Sequence, residues 1–68
     1  MKRRALISEL AQLARRQGVE FLLRRHGSRH DVYRFDQLTI VIPRHREIDE
    51  RTARGILRDC EREGDERG

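Results

Sequence analysis

The segment VEFLLRRHGSRHDVYRFDQLTIVIP, residues 19–43, decides the fold, because it predicts three strands joined by two short turns. The strands are expected over residues 19–25 and 29–35, where side chains alternate between two faces, and over 38–42, which is rich in β-branched residues. Two polar connections separate them: HGS at 26–28, where Gly27 can take a positive φ, and DQ at 36–37. Pro43 ends the third strand, since proline cannot donate to a ladder. The segment therefore predicts an antiparallel meander.

Amphipathic helices are predicted on both sides of the meander. The first spans residues 3–17 and is followed by Gly18, the usual residue at a helix C-terminal stop; its apolar stripe is Leu6, Leu10, Leu13 and Ala14. The second spans residues 50–62 after a plausible N-cap, Asp49, and contains Gly55, which can allow close approach to the sheet. Its apolar stripe is Ala53, Ile56, Leu57 and Cys60. Residues 63–68 lose the pattern, so we expect one domain over residues 1–62 and a disordered tail.

These elements define an α+β fold, a two-layer α-β-β-β-α chain in which both helices cover one face of a three-stranded antiparallel sheet. The core face is expected to contain Val19, Phe21, Leu23, Tyr33, Phe35, Leu38, Ile40 and Ile42. The other face carries Leu22, Val32 and Val41 among Glu20, Arg24, His30 and Arg34. An open sheet face with apolar residues usually means that a partner covers it.

Charge is distributed unevenly along the 68 residues, 41% of which are charged. Residues 1–46 contain eleven Lys or Arg against four Asp or Glu, whereas residues 47–68 contain five against eight. A basic first part suggests a polyanionic partner such as nucleic acid, although the same charges also serve solubility. The single cysteine fits a reducing cytosol, and neither a signal peptide nor a membrane span is predicted. We therefore expect a cytoplasmic protein.

Several catalytic classes lack their sequence patterns in this chain. There is no phosphate-binding glycine loop, no G-x-S-x-G nucleophile turn, and no carboxylate cluster suited to two metal ions. The three histidines, His26, His30 and His45, fit poorly with the ligand sets that structural zinc favours. No metal and no cofactor are expected, and metal-dependent nuclease chemistry is disfavoured.

Metal-free acid–base chemistry on RNA remains compatible with the sequence. RNA supplies its own nucleophile, the 2′-hydroxyl, and histidine is the side chain best suited to remove a proton near neutral pH. His30 can serve as this base, while cationic side chains steady the phosphate. The candidate RNA-binding residues are Arg24, Arg25, Arg29, Arg34 and Arg44. On this pattern alone, a surface histidine without a catalytic role is the commoner explanation.

The order of four short motifs resembles the HicA toxin family. GSRH leads into a strand, VYRF follows, TIVIPRHREI ends the third strand, and ARGILRDC lies in the second helix. Gly27, Ser28 and His30 match the family's Gly-Ser turn with its histidine, and Pro43 and His45 match its strand end. The helix match consists of Arg54, Ile56 and Leu57. The resemblance covers roughly residues 4 to 60.

This resemblance implies a fold like the double-stranded-RNA-binding domain and a metal-independent endoribonuclease. The protein would be an mRNA interferase, the toxin of a toxin–antitoxin system, neutralised by a HicB-type antitoxin. By the same resemblance His30 is the catalytic histidine, and Gly27 and Ser28 shape the turn that presents it. The antitoxin is expected to cover His30 in a toxin–antitoxin hetero-oligomer, and a homodimer is an alternative assembly. Asp31 can either orient His30 or be solvated, and we favour a solvated carboxylate.

Two other functions remain open at this point. One is a non-catalytic RNA-binding module, and the other is a protein-interaction domain that uses the open sheet face. A plain duplex binder is less favoured, because Glu47, Asp49 and Glu50 make the start of the second helix acidic. Acidic side chains there repel phosphate, which is the reverse of what that binding mode requires.

Overall fold

The structure is a computed structural model that describes residues 1–67, except for the side chain of Arg67. Its elements in chain order are helix α1 Arg3–Gln17, strands β1 Phe21–His26, β2 His30–Phe35 and β3 Leu38–Pro43, and helix α2 Glu50–Arg67. The strands form one sheet in the order β1-β2-β3, and both neighbouring pairs are antiparallel. The predicted α+β fold class is confirmed.

Helix α1 begins and ends where the sequence predicts. Gly18 adopts the left-handed conformation, with φ 71° and ψ 34°, and its N–H donates to the carbonyl of Arg15. A residue without a Cβ adopts this conformation at no steric cost, so the helix stops there. The four apolar residues of its predicted stripe are all buried: Leu6, Leu10, Leu13 and Ala14.

The start of α2 also agrees with the sequence. The Thr52 N–H donates to Oδ2 of Asp49 at 3.3 Å, so Asp49 is the N-cap. The expectation for Gly55 is wrong: a Cβ built on this residue would meet no atom within 4 Å, so its lack of a side chain serves no close approach to the sheet.

The end of α2 differs from the prediction, because the helix continues from residue 62 as far as Arg67. The added turn packs against the end of α1. Gln17 donates from Nε2 to the carbonyl of Cys60 at 3.1 Å, and a Cβ on Gly64 would lie 2.6 Å from the Gln17 carboxamide. The segment expected to be a disordered tail is therefore helical within residues 63–67, and Gly68 lies outside the described residues.

The core lies between the helices and one face of the sheet. Its largest fully buried side chains are Phe35, Leu6, Leu10, Ile42 and Cys60. The expected core residue Leu23 is instead 47% exposed. It belongs to the edge strand β1, in which every residue after Phe21 is exposed. Phe21 itself stacks on Tyr33, with ring centroids 5.1 Å apart.

The residues around the start of α1 pair with the loop that follows β3. The Arg3 N–H donates to the Arg46 carbonyl at 2.9 Å, and the Ile48 N–H donates to the Met1 carbonyl at 2.7 Å. Ile48 is buried, although the sequence predicted only a charged loop around it. These bonds place the start of α1 beside the end of β3.

Candidate nucleic-acid interface

One end of the sheet brings the candidate residues together, and we call it the basic end. There β1 ends at His26, β2 begins at His30 and β3 ends at Pro43. Because α1 starts beside the end of β3, its first residues lie at the same end. Exposed cationic residues surround it, in the turn between β1 and β2, in α1 and in the loop after β3.

His30 is exposed and is the first residue of β2, the central strand. It pairs with Pro43 across the ladder. The next residue, Asp31, is buried, so the alternation of the strand places His30 on the face that the helices leave open. An imidazole in this position is accessible to a polymer lying across the end of the sheet.

Gly27 is required because the backbone of His30 lies too close to it for any side chain, and not because of its backbone dihedral angles. Among residues 1–67, the positive-φ glycine is Gly18, so Gly27 does not adopt the positive φ that a glycine there could take. A Cβ on Gly27 would overlap the carbonyl oxygen of His30, at a separation that no real contact allows. Any side chain would therefore displace the backbone of His30. Ser28, the next residue of the turn, is exposed.

Asp31 is buried, with 3% of its surface exposed, which overturns the expectation of a solvated carboxylate. Its Oδ1 accepts from the Gly27 N–H at 3.3 Å and lies 3.1 Å from Nδ1 of His26. Its Oδ2 pairs with the guanidinium of Arg3, which also donates from Nε to the Pro43 carbonyl at 3.1 Å. A buried carboxylate needs such partners, and here they come from two separate segments, the start of α1 and the end of β1 with its turn. Within the described residues, the side chain of Asp31 holds His26 and the turn and forms no hydrogen bond or ion pair with His30.

Arg44, a predicted RNA-binding residue, holds the same turn from the other side. Its Nη1 donates to the Gly27 carbonyl at 2.8 Å, and its backbone N–H donates to the Arg29 carbonyl at 2.9 Å. Its Nε lies 3.8 Å from Oδ1 of Asp31. Because these contacts occupy its guanidinium, Arg44 fits a role in positioning the turn better than a role in binding phosphate.

Arg34 lies away from the basic end. It is four residues along β2 from His30, a separation of roughly 13 Å at the usual rise of a strand. Its Nε donates to the Asp36 carbonyl at 2.8 Å, and its Nη2 lies 3.5 Å from Oε1 of Gln37. Arg34 therefore stabilises the turn between β2 and β3, and its guanidinium is too distant to share a phosphate with His30.

A β-bulge in β1 gathers two further arginines on the open face. The register shifts after Leu23, so that Arg24 is the extra residue and Arg25 pairs with Val32. Without the bulge, alternation would direct Arg25 toward the helices. An open pocket of about 340 Å³ results, lined by Arg24, Arg25, Val32, Arg34, Gln37 and Thr39.

Three of the five predicted RNA-binding arginines are available for an external ligand. Arg24, Arg25 and Arg29 are exposed, and no side chain that the structure describes forms a hydrogen bond or ion pair with their guanidinium groups. Arg29 precedes His30 in the turn, and Arg25 lies one residue before the end of β1. These two flank the turn at the basic end.

The remaining candidates have limited chemistry. Burial raises the pKa of the Cys60 thiol to about 12, with neighbouring carboxylates adding to the effect, so the thiol stays protonated in the core. His45 is exposed in the loop after β3. Within residues 1–67, no three His, Cys, Asp or Glu side chains are grouped so that they could hold a metal ion. Neither helix, over the same residues, is long and apolar enough to span a bilayer.

Sequence reasoning missed Arg3 and the pairing of His26 with Asp31. Arg3 is 28 residues from Asp31, and the local sequence around either residue gives no sign of the contact. The available signals were weak: an arginine at the first position of a helix, and an acid directly after the candidate histidine.

Taken together, fold and site define a class: a small α+β domain whose basic end presents an exposed histidine beside a tightly held Gly-Ser turn. Residues 7–61 match the family described as the HicA toxin of bacterial toxin–antitoxin systems. This chain belongs to the HicA toxin family, whose members act as toxins paired with an antitoxin. Comparisons with curated proteins and with solved structures gave no match.

Proposed function

We propose that this toxin is a metal-independent endoribonuclease that cleaves mRNA, with His30 as its catalytic histidine. The observation that carries the proposal is the position of His30. It is exposed at the start of the central strand, and the adjacent turn is held from both sides by Asp31 and Arg44. Because the turn is held in place, the imidazole can be oriented toward a phosphodiester at a small cost in conformational entropy.

The proposed reaction uses the nucleophile that RNA already contains. His30 takes the proton of a 2′-hydroxyl, the 2′-oxygen bonds to the adjacent phosphorus, and the bond from phosphorus to the 5′-oxygen breaks. The departing 5′-oxygen takes up a proton from the imidazolium or from water. One product then ends in a 2′,3′-cyclic phosphate, and the other begins with a 5′-hydroxyl.

Arginines would stabilise the charge that develops on the phosphate. Arg25 and Arg29 flank the turn and have exposed guanidinium groups, so we assign them to the scissile phosphate. Arg24 lies on the same open face and would contact the strand farther along. Arg34 and Arg44, which the sequence also suggested as RNA ligands, would act through the turns that they stabilise.

The partner that inhibits this toxin would be a HicB-type antitoxin bound on the open face. Leu22 and Val41 are 36% and 52% exposed, and both lie on the face that carries His30. Apolar residues in such a position favour a protein partner. An antitoxin bound there would cover His30 and exclude RNA at the same time.

Incubation of the purified protein with mRNA in the presence of a chelator tests this function. We expect strand cleavage without added metal, with 2′,3′-cyclic phosphate and 5′-hydroxyl ends. Cleavage that requires a divalent cation, or that leaves 5′-phosphate ends, would contradict the proposed chemistry. Binding of RNA without any strand scission would favour a non-catalytic RNA-binding module.

A further inference from the structure

A second cationic pocket lies at the basic end, beside the start of α1. It has a volume of about 510 Å³ and is lined by Lys2, Arg3, Arg4, Ile7 and Arg46. Four of these five residues are cationic, and the fifth contributes an apolar wall. The candidate residues proposed for RNA cleavage do not include any of them.

Three of the four cations in this pocket are free to bind a ligand. Lys2, Arg4 and Arg46 are exposed, and no side chain within the described part of the chain pairs with their charged groups. The guanidinium of Arg3 is occupied by Asp31 and by the Pro43 carbonyl. The first turn of α1 contains no acidic residue, so no carboxylate there offsets the positive end of the helix dipole.

Asp31, which pairs with the lining residue Arg3, is buried. Glu47 and Glu50, two acids that follow Arg46 in the chain before and at the start of α2, pair with other cations. Glu47 and Glu50 lie 3.8 Å and 3.4 Å from the amino nitrogen of Met1, and Glu50 also lies 3.4 Å from Nε of Arg54. Their charges are thus partly balanced by other cations. The pocket therefore keeps a positive potential that suits a phosphate group.

Arg3 connects this pocket to the candidate catalytic residue. It lines the pocket, and its side chain bonds to Asp31 and to Pro43. Asp31 follows His30 in β2, and Pro43 is paired with His30 across the ladder. The pocket and His30 are therefore at the same end of the sheet, where one flexible polyanion can reach both.

We propose that Lys2, Arg4 and Arg46 bind a second phosphodiester of the RNA strand that is cleaved at His30. This inference rests on the proposed function and adds a binding site to it. The three cations hold a phosphate some nucleotides from the scissile bond, and Ile7 packs against the sugar of that nucleotide. The site contributes affinity for longer RNA without touching the reacting atoms.

The test measures kcat and KM on oligoribonucleotides of increasing length for an Arg4→Gln, Arg46→Gln double variant. The matched control is Arg58→Gln, Arg62→Gln, which removes two exposed arginines of α2 from a different pocket. For the wild-type protein and the control, KM falls once the oligonucleotide is long enough to reach the cationic pocket beside the start of α1. The KM of the double variant does not fall with length in this way, so on long RNA its KM is roughly tenfold above that of the wild-type protein, while kcat is unchanged.

A second readout uses RNA binding by His30→Ala protein as salt is varied. Adding the pocket substitutions makes the negative slope of log affinity against log salt shallower by about one, since one phosphate contact is lost. If wild-type protein cleaves RNA but the double variant matches the control in KM and salt slope, the inference is overturned and the proposed function stands. If the double variant instead loses antitoxin binding alone, the pocket is a protein-binding site and the inference is also overturned. Absence of cleavage by the wild-type protein would overturn the proposed function itself.

Discussion

The Nδ1 atom of His26 lies 3.1 Å from the Oδ1 atom of Asp31, a buried carboxylate on the neighbouring strand. The bulge at Arg24 makes this contact possible, because regular alternation would direct His26 to the opposite face from Asp31. The same oxygen accepts the Gly27 N–H, so one carboxylate holds the last residue of β1 and the first residue of the turn. We infer that Asp31 positions the turn from which His30 projects.

Asp31→Asn should lower the free energy of unfolding by about 2 kcal/mol, because it removes the charge that pairs with Arg3 inside a mostly buried site. Arg3 keeps some exposure to solvent, which limits the loss. Denaturant unfolding measures the change, with Asp59→Asn on the exposed side of α2 as the control. Equal stability of the two variants would show that the network around Asp31 contributes nothing.

Gly27→Ala should reduce RNA cleavage strongly, because the new Cβ must displace the carbonyl of His30 and with it the imidazole. Gly55→Ala is the matched control: its Cβ enters open space in the interior of α2. That variant should instead gain about 1 kcal/mol in stability and keep full activity. Undiminished cleavage by a folded Gly27→Ala protein would contradict the role assigned to the close approach.

Arg29→Gln and Arg44→Gln should have different effects, although both remove a charge near the turn. Arg29 is exposed, so its loss should weaken RNA binding and leave the thermal unfolding midpoint unchanged. Arg44 donates to the Gly27 carbonyl, so its loss should lower the midpoint by several degrees, as expected for about 1 kcal/mol in a domain of this size. Identical melting curves for the two variants would refute this division of roles.

Cys60 should resist alkylation in the folded protein. Its pKa is raised from 9.0 to about 12, chiefly by burial, so the thiolate is scarce even in mildly alkaline solution. Because the folded-state pKa is the higher one, this thiol stabilises the fold below pH 9.0, and that contribution is lost as pH rises toward 12. Iodoacetamide labelling at about pH 9, where an ordinary thiol is largely ionised, should be slow until urea is added. Rapid labelling of native protein would contradict this.

Local sequence was enough to predict the elements because each one carries its own signal. A few neighbouring residues are enough to recognise the apolar stripe of α1 and its stop at Gly18. The same holds for the two-residue spacing of Tyr33 and Phe35 on one face of β2. The end of α2 was missed because EREGDERG has no apolar stripe. Its helical conformation is accompanied by close packing of Gly64 against Gln17, which is distant in the chain.

The candidate site was predictable only in part. Gly27, Ser28 and His30 follow from a local motif, and the structure places Gly27 and Ser28 in the turn and His30 at the start of β2. The burial of Asp31 depends on Arg3 and on a β-bulge in β1, and the sequence LLRRH at residues 22–26 gives no sign of that bulge. The division of arginines into turn-holding and exposed residues likewise depends on contacts between separate segments, such as Arg44 with Gly27.

A comparison of His30→Ala with His45→Ala tests the central claim most directly, since both histidines are exposed and only His30 is assigned a catalytic role. The measurement is the rate of mRNA cleavage by purified, folded protein, with circular dichroism as the check on folding. The account predicts that His30→Ala loses at least about a hundredfold in rate, the usual contribution of a general base, while His45→Ala keeps the wild-type rate. A folded His30→Ala protein that cleaves mRNA at the wild-type rate would contradict it.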